Sequence, residues 1–404
     1  MTFHSVILTS GTSALAPFNL AGSWLKAQAD VVQSVGQPAR WSASAGVSPE
    51  EALEAVTKRL HQLPALADPM KVSAEYSLLH ALQKERSLGK SPRITLVATD
   101  TLDGRLASAC VRHLIEREFG AYVEESLVAD FNVDERRRFQ QGLGNVLAKI
   151  SEALRNHDAS STCFAPVGGF KVMTSLAYLL GCFHGYPSMY LHETLQVLHA
   201  IPAVPVHVSP EELEPVAPLV RRMVLEGSSA SVVELSQDEQ SKYALGRFGW
   251  LFEQLEGRFF SLNAMGIFLA QNPEYLSVLG PRVLLSDRAA KVLDAHKDTV
   301  GQELRELVNH IAAESGTINS IYHEKDWSHR VKGTMNWRLA KQPVGTIRVI
   351  WKEHPESGAL YVNQIWTDHD DYEKNAPHEL STAFDPLISG AWRDLSERIY
   401  SVRT

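Results

Sequence analysis

The chain has 404 residues, of which 44% are hydrophobic, which is enough for two or three domains with buried cores. Its formal net charge of −8 excludes a general nucleic-acid-binding protein, so any contact with nucleic acid requires a local basic patch. Three isolated cysteines argue against a disulfide framework and a zinc site, and the absence of a long apolar run or a basic leader indicates a cytoplasmic protein without membrane contact.

Residues 1–208 alternate between short β-rich runs and amphipathic stretches, a pattern typical of a mostly parallel, doubly wound α/β sheet. The pattern predicts a helix from Lys171 to Phe183. The strands are predicted at residues 5–10, 93–99, 122–128, 162–166, 189–192 and 204–208.

Small and polar residues follow three of these strands, where sheets of this type bind ligands. They are Thr9, Ser10, Gly11, Thr12 and Ser13 after the first strand, Asp100 and Thr101 after the second, and Gly168, Gly169 and Lys171 after the fourth. Glycines before a helix let the backbone approach a phosphate, and the helix N-terminus with Lys171 favours an anion. The alternative is a tight strand–helix turn with a solvated lysine.

The stretches FAPVGGFKVMTSLAYLLG, GYPSMYLHET and IPAVPVHV, together with SVILTSGTSAL at the start of the chain, resemble the CRISPR-associated Rossmann-fold (CARF) sensor domains. The resemblance covers the first half of the chain. It implies a homodimer that binds a cyclic oligoadenylate across its two-fold axis, with cyclic tetra-adenylate as the usual ligand. The matching positions imply a site lined by Thr9, Ser10, Thr12, Ser13, Gly168, Gly169, Lys171 and Thr174, with Asp100 and Thr101 as weaker candidates.

Residues 209–280 change in character, beginning with the helix-start signal Ser209-Pro210-Glu211. Two helical stretches precede a hairpin predicted around Glu256-Gly257, and a short helix containing Ile267 and Phe268 follows. This arrangement is consistent with a winged helix-turn-helix domain, and a helical spacer is the alternative.

Residues 281–404 predict a compact α+β domain. A strand at 283–285 is followed by a helix pair within 288–313 that breaks near 296–299. Strands at 335–340, 345–353 and 359–367 then form an antiparallel sheet, and an amphipathic helix at 389–402 ends the chain. Positive charge is concentrated here, since seven basic residues and one acidic residue lie between Lys325 and Lys352.

The segments RVKGTMNWRLAKQPVGTIRVIWKEH and GALYVNQIWTDHDDYEK resemble the RelE family of toxin ribonucleases. The resemblance implies metal-independent RNA cleavage, in which the 2′-OH attacks the phosphate and basic side chains stabilise the charge. It implies catalytic roles for Arg338, Lys341, Arg348, His369 and Tyr372, and RNA contacts for Arg330 and Lys332. The acids Asp368, Asp370 and Asp371 around His369 depart from the family, which is usually basic or aromatic there.

The combination resembles the CRISPR-Cas-associated mRNA interferases. We therefore expect a CARF domain at 1–208, a winged helix-turn-helix-like domain at 209–280 and a RelE-like domain at 281–404. The expected function is cleavage of mRNA on the bacterial ribosome, switched on allosterically by a cyclic oligoadenylate without a cofactor or metal. Two alternatives are a transcription regulator and a ring nuclease that degrades the cyclic signal.

Overall fold

The chain forms two compact units, Met1–His207 and Val208–Thr404, each with its own sheets and core. In the computed structural model, the described residues are 2–16, 18–34, 41–64, 68, 72–129, 135–192, 197–225, 229–231, 238–255, 259–296, 299–306, 338–341, 347–354, 358–368, 370, 374 and 392–401.

The first unit is built on a six-stranded sheet with helices between its strands. In chain order the elements are β1 (Phe3–Thr9), α1 (Leu20–Lys26), β2 (Val32–Ser34), β3 (Trp41–Ala43), α2 (Pro49–Arg59), α3 (Ala74–Lys84), β4 (Leu88–Thr99), α4 (Leu102–Phe119), β5 (Tyr122–Val128), α5 (Arg136–Arg155), β6 (Thr162–Ala165), α6 (Lys171–Phe183), β7 (Ser188–Leu191) and β8 (Leu198–Ile201). The sheet order is β5-β4-β1-β6-β7-β8, with parallel pairing except between β7 and β8. The predicted α/β class with a largely parallel sheet is confirmed.

The central strands of this sheet are buried because helices cover both faces, as parallel sheets require. Val6, Ile7 and Leu8 of β1 are all fully buried. The helices begin and end at the expected signals: Thr101 caps the first turn of α4, and Gly120 follows its last turn with φ 57°. The predicted bounds of α6 are confirmed at both ends.

Two features of the first unit differ from the prediction. Residues 204–208 are not a strand, and the last strand is β8, which pairs antiparallel with β7. Pro202 and Pro205 lack the backbone N–H that a strand pairing needs. The hairpin of β2 and β3 was not predicted, since three residues per strand are too few for a periodic signal.

The second unit begins with a small helical region and a three-stranded sheet. Its elements are α7 (Pro210–Leu213), α8 (Ala217–Leu225), β9 (Ser229–Ser231), α9 (Glu239–Arg247), β10 (Phe252–Leu255), β11 (Phe259–Leu262), α10 (Ala264–Gln271) and α11 (Leu276–Leu279). The sheet order is β10-β11-β9, and the pairing of β10 with β11 confirms the predicted hairpin. The helix predicted around Ile267 and Phe268 is α10.

The rest of the second unit is a five-stranded sheet with helices. Its elements are β12 (Arg282–Ser286), α12 (Asp287–Ala295), a helical segment at residues 299–306, β13 (Arg338–Lys341), β14 (Arg348–His354), β15 (Ala359–Trp366), β16 (Trp392–Asp394) and α13 (Ser396–Tyr400). The sheet order is β13-β14-β15-β12-β16. The core joins α12 and the 299–306 helix to β12, β14 and β15 through Leu293, Leu304, Leu285, Trp351 and Val362.

The antiparallel pairing predicted for the last three long strands is confirmed, because β14 pairs antiparallel with both β13 and β15. The sheet as a whole is mixed, because β12 pairs parallel with β15. The prediction for the tail of the chain is wrong. The tail is not one helix, because Trp392–Asp394 pairs with β12 as a strand. The helix starts only after Asp394, whose Oδ1 accepts from the Ser396 N–H at 3.1 Å.

Three buried cysteines, Cys110, Cys163 and Cys182, form no disulfide, as the sequence predicts. Burial raises the pKa of Cys110 and of Cys163 to about 12, so both thiols are protonated at neutral pH. Within the described residues, no helix has both the length and the apolar character of a membrane span.

Candidate functional site at the carboxyl edge of the parallel sheet

The structure brings the three predicted polar segments to one edge of the first sheet. β1 lies between β4 and β6 and runs parallel to both, so the carboxyl ends of these strands are neighbours. We define the carboxyl edge as Thr9–Ser13, Asp100–Thr101 and Gly168–Lys171. Ligands of open α/β sheets bind at such an edge.

Thr9 joins two of these segments directly. Its hydroxyl donates to the Gly168 carbonyl oxygen at 2.7 Å and lies 3.2 Å from the Gly168 N–H, which also lies 3.1 Å from the Thr9 carbonyl oxygen. Thr9 is fully buried. Thr9 therefore joins the two segments in the interior of the protein and does not line an exposed surface.

The glycines of the carboxyl edge permit an unusually close approach of two backbones. A Cβ atom on Gly11 would lie 2.4 Å from the Gly169 nitrogen, and one on Gly168 would lie 2.6 Å from the Gly11 nitrogen. Gly169 has φ 99°, which favours glycine over any other residue. The edge is therefore lined by backbone, and Gly169 is exposed.

An open helix end lies beside the glycines. α6 begins at Lys171, and the residue before it, Phe170, provides no side-chain cap for the first-turn N–H groups. The Lys171 side chain is exposed, and the Thr174 hydroxyl donates back to the Lys171 carbonyl oxygen at 2.9 Å. Free N–H groups, the positive end of a helix dipole and a lysine together favour an anion here.

The remaining residues of the predicted site differ in their accessibility. Ser10 is buried, Thr12 is half-buried and Ser13 is exposed. Asp100 forms an ion pair with Arg105, and the Thr101 hydroxyl accepts from the Gly104 N–H at 3.0 Å. Asp100 and Thr101 thus have structural partners of their own at this edge.

Glu75, on α3, is a residue that the sequence analysis missed. It is fully buried, and its Oε1 accepts from the Gly11 N–H at 2.7 Å. Burial raises the pKa of its carboxyl group, and the hydrogen bond from the Gly11 N–H partly opposes that shift. No sequence signal marks it, because a glutamate in the first turn of a helix is common on exposed surfaces.

The start of α5 adds positive charge that was also missed. The rings of Phe139 and Phe170 meet edge to face with centroids 5.9 Å apart, so the starts of α5 and α6 are adjacent. Arg136, Arg137 and Arg138 occupy the first turn of α5, where the helix dipole disfavours cations. The run of three arginines was the available signal in the sequence.

The predicted nuclease residues fall partly within the described residues. Arg338 and Lys341 are the two ends of β13, and the register places Lys341 opposite Arg348 of β14. Arg348 is 7% exposed, and its Nη1 donates to the Ile347 carbonyl oxygen at 3.1 Å. Burial and the charge of Glu306 raise the pKa of Glu303, and the Ile347 backbone and the charge of Arg348 act in the opposite direction. His369, Tyr372, Arg330 and Lys332 lie outside the described residues.

A metal site does not emerge from the part of the chain that the structure describes. No group of three or more histidine, cysteine, aspartate or glutamate side chains there is arranged to hold a metal ion.

Comparison with known proteins bears on the first unit. Residues 70–204 match a family model described as "CRISPR-associated protein (Cas_APE2256)", and a comparison with curated proteins gives no match. The matched segment begins just before α3 and ends after β8. It therefore includes Glu75 and Gly168–Lys171, and this part of the chain is similar to a CRISPR-associated protein family.

Proposed function

We propose that the protein is a ligand-switched ribonuclease of CRISPR antiviral defence. The carboxyl edge binds a cyclic oligoadenylate, with cyclic tetra-adenylate as the expected ring, and binding activates the second unit. The observation that carries the proposal is the meeting of the Thr9–Ser13 and Gly168–Lys171 segments at the open start of α6. The Gly168–Lys171 segment lies within residues 70–204, which are similar to a CRISPR-associated family, and this supports a role in CRISPR defence.

The chemistry of the edge suits a phosphate-bearing ring. Backbone N–H groups and Lys171 supply donors for phosphate oxygens, and exposed Gly169 lets the ligand approach the backbone. Phe170 and Val172 flank Lys171 and are 48% and 43% exposed. A second copy that covers these apolar side chains would present the same donors twice to a symmetric ligand, which supports a homodimer.

In the second unit, the proposed reaction is metal-independent cleavage of mRNA held by the ribosome. The RNA 2′-OH loses its proton to water and attacks the adjacent phosphate, which forms a 2′,3′-cyclic phosphate and breaks the bond to the 5′-oxygen. Arg338, Lys341 and Arg348 stabilise the negative charge, His369 protonates the leaving 5′-oxygen, and Tyr372 is a further catalytic candidate. Arg330 and Lys332 bind the RNA backbone. Since Arg348 is buried, contact with RNA requires a rearrangement, which fits an enzyme that a ligand switches on.

The decisive experiment measures mRNA cleavage on stalled bacterial ribosomes with the full chain. Cyclic tri-, tetra- and hexa-adenylate are added separately, and a reaction without ligand is the control. We expect cleavage with cyclic tetra-adenylate and little without it. Binding of a ring without any RNA cleavage would remove the nuclease half of the proposal and favour a ring nuclease, whose product would be the linearised ligand.

A transcription regulator is the second candidate. The helices α8 and α9 together with the β10–β11 hairpin are the elements that a winged helix-turn-helix domain uses on DNA. A gel shift with promoter DNA at physiological salt, absent any ribosomal cleavage, would favour this candidate.

A further inference from the structure

Glu75 occupies a position that is costly for a carboxyl group. It is fully buried, and the described part of the chain offers it no lysine or arginine as an ion-pair partner. One carboxyl oxygen, Oε2, has no hydrogen-bond partner there. A buried acid without an ion-pair partner lowers stability, and the hydrogen bonds to Glu75 offset its burial only in part, which points to a further role.

The carboxyl edge contributes the Gly11 N–H, the Ser10 hydroxyl and Gly168 to the surroundings of Glu75. Oε1 binds the Gly11 N–H at 2.7 Å, and a Cβ on Gly168 would lie 2.1 Å from the same oxygen. The hydroxyl of Ser10 is also buried and lowers the pKa of Glu75, as does that of Ser73, the residue that caps α3. One side chain from α3 therefore contacts both segments that Thr9 joins.

We infer that Glu75 is a positioning residue of the proposed ligand site, whose carboxyl oxygen fixes the Gly11 turn against Gly168–Gly169 in the arrangement that accepts phosphate. The inference rests on the proposed function. Gly11 N–H is directed inward by this bond, so the turn presents its outer side to the ligand in one conformation. Without the bond, the turn has an unsatisfied buried donor and samples other conformations.

Three variants of the full chain test this role with cyclic tetra-adenylate in a calorimeter. Glu75→Leu removes the acceptor, Glu75→Gln keeps an acceptor oxygen of the same reach, and Glu85→Ala changes an exposed glutamate after the end of the same helix. We expect Glu75→Leu to weaken binding at least about tenfold, Glu75→Gln to stay within about threefold, and Glu85→Ala to match the unmodified protein.

Thermal melting separates positioning from a purely structural role. Because Glu75→Gln removes a buried ionisable group, we expect it to melt at or above the temperature of the unmodified protein. If Glu75 had only a structural role, each variant would lose binding in proportion to its loss in melting temperature. Unchanged binding by Glu75→Leu, or equal weakening by Glu75→Leu and Glu75→Gln, would overturn the inference.

A second measurement does not involve the ligand. It can therefore distinguish a failure of this inference from a failure of the proposed function. Hydrogen-exchange mass spectrometry of the peptide that contains Ser10–Ser13 reports whether the Gly11 amide is protected. We expect faster exchange in Glu75→Leu than in Glu75→Gln, whether or not cyclic tetra-adenylate binds. Equal protection in both variants would show that Glu75 does not hold the turn.

Discussion

The Thr9 hydroxyl and the backbone of Gly168 bind each other across 159 residues of chain, with the hydroxyl oxygen 2.7 Å from the carbonyl oxygen and 3.2 Å from the amide nitrogen. The contact lies where β1 and β6 end side by side. It ties the first polar segment of the chain to the glycine pair, so the geometry of the proposed site depends on a buried hydroxyl.

Replacing this hydroxyl tests its contribution to the edge. Thr9→Val keeps the side-chain shape but takes the hydroxyl donor from the Gly168 carbonyl oxygen, while the Gly168 N–H keeps its bond to the Thr9 carbonyl oxygen, so we expect a loss of about 1–3 kcal/mol in the free energy of unfolding. Urea denaturation measures the change. Thr57→Val, whose hydroxyl bonds to Leu53 on an exposed helix, is the matched control. Equal losses in the free energy of unfolding would show that the Thr9 contact stabilises the protein no more than an exposed hydroxyl does.

Gly168 and Gly246 give opposite expectations for the same substitution. A Cβ on Gly168 would lie 2.4 Å from the Thr9 carbonyl oxygen, whereas one on Gly246 in α9 has no neighbour within 4 Å. Gly168→Ala should therefore destabilise by about 1–3 kcal/mol through overpacking. Gly246→Ala should stabilise by about 0.5–1 kcal/mol through helix propensity. Urea titrations of both variants check the sign, and a neutral Gly168→Ala would contradict the close approach.

How far the sequence predicts the fold depends on the range of the interactions. The bounds of α6 follow from local pattern, since the glycine pair precedes Lys171 and the apolar run ends at Phe183. The parallel pairing of β12 with β15 depends on contacts between residues about 80 positions apart, which no local pattern encodes.

The candidate site likewise has a part that local sequence patterns predict and a part that depends on long-range packing. The polar strand ends were visible because small and hydroxyl residues interrupt apolar runs, and the parallel order then brings them together. Glu75 was not visible, because its burial results from the packing of α3 beneath the Gly11 turn. Its neighbours along the chain give no indication that an acid there is removed from water.

Lys171 is expected to contribute to anion binding without a structural role. Its side chain is exposed at the first position of α6, so Lys171→Ala should leave melting unchanged. The loss of a charged contact to phosphate should weaken cyclic tetra-adenylate binding by roughly 1.5–3 kcal/mol per site. Calorimetry compares it with Lys149→Ala, an exposed lysine of α5. Binding that is the same for both variants would exclude Lys171 from the site.

His184 makes the stability of the first unit depend on pH. Burial, assisted by the charge of Arg155, lowers the pKa of His184 from 6.5 to about 4, and its Nε2 lies 2.8 Å from the Ser151 hydroxyl. The folded state therefore favours the neutral ring. The stabilisation is fully present above pH 6.5 and decreases as the pH falls from 6.5 towards about 4, because the unfolded chain binds the proton first.

Denaturation at a series of pH values tests this dependence. His184→Gln should lose less stability than the unmodified protein between pH 6.5 and 4, and His199→Gln on the edge strand β8 is the control. Parallel curves for His184→Gln and the unmodified protein would mean that another group causes the acid sensitivity.

Arg348 combines burial with a proposed catalytic role, and these make separable predictions. Arg348→Ala removes a guanidinium that is 7% exposed and a positive charge that lowers the pKa of Glu303, so we expect a loss of about 1–3 kcal/mol in stability and a further rise in the pKa of Glu303. If Arg348 is catalytic, the substitution also raises the activation barrier by roughly 2.7–4 kcal/mol, which lowers the rate by orders of magnitude even where the variant is fully folded.

Single-turnover cleavage of ribosome-bound mRNA, at a temperature where circular dichroism shows a folded chain, isolates this effect on the rate. Lys352→Ala, on the same strand, is the control for lost charge. If folded Arg348→Ala cleaves at nearly the unmodified rate while ligand binding persists, Arg348 is a structural residue and the active site lies elsewhere.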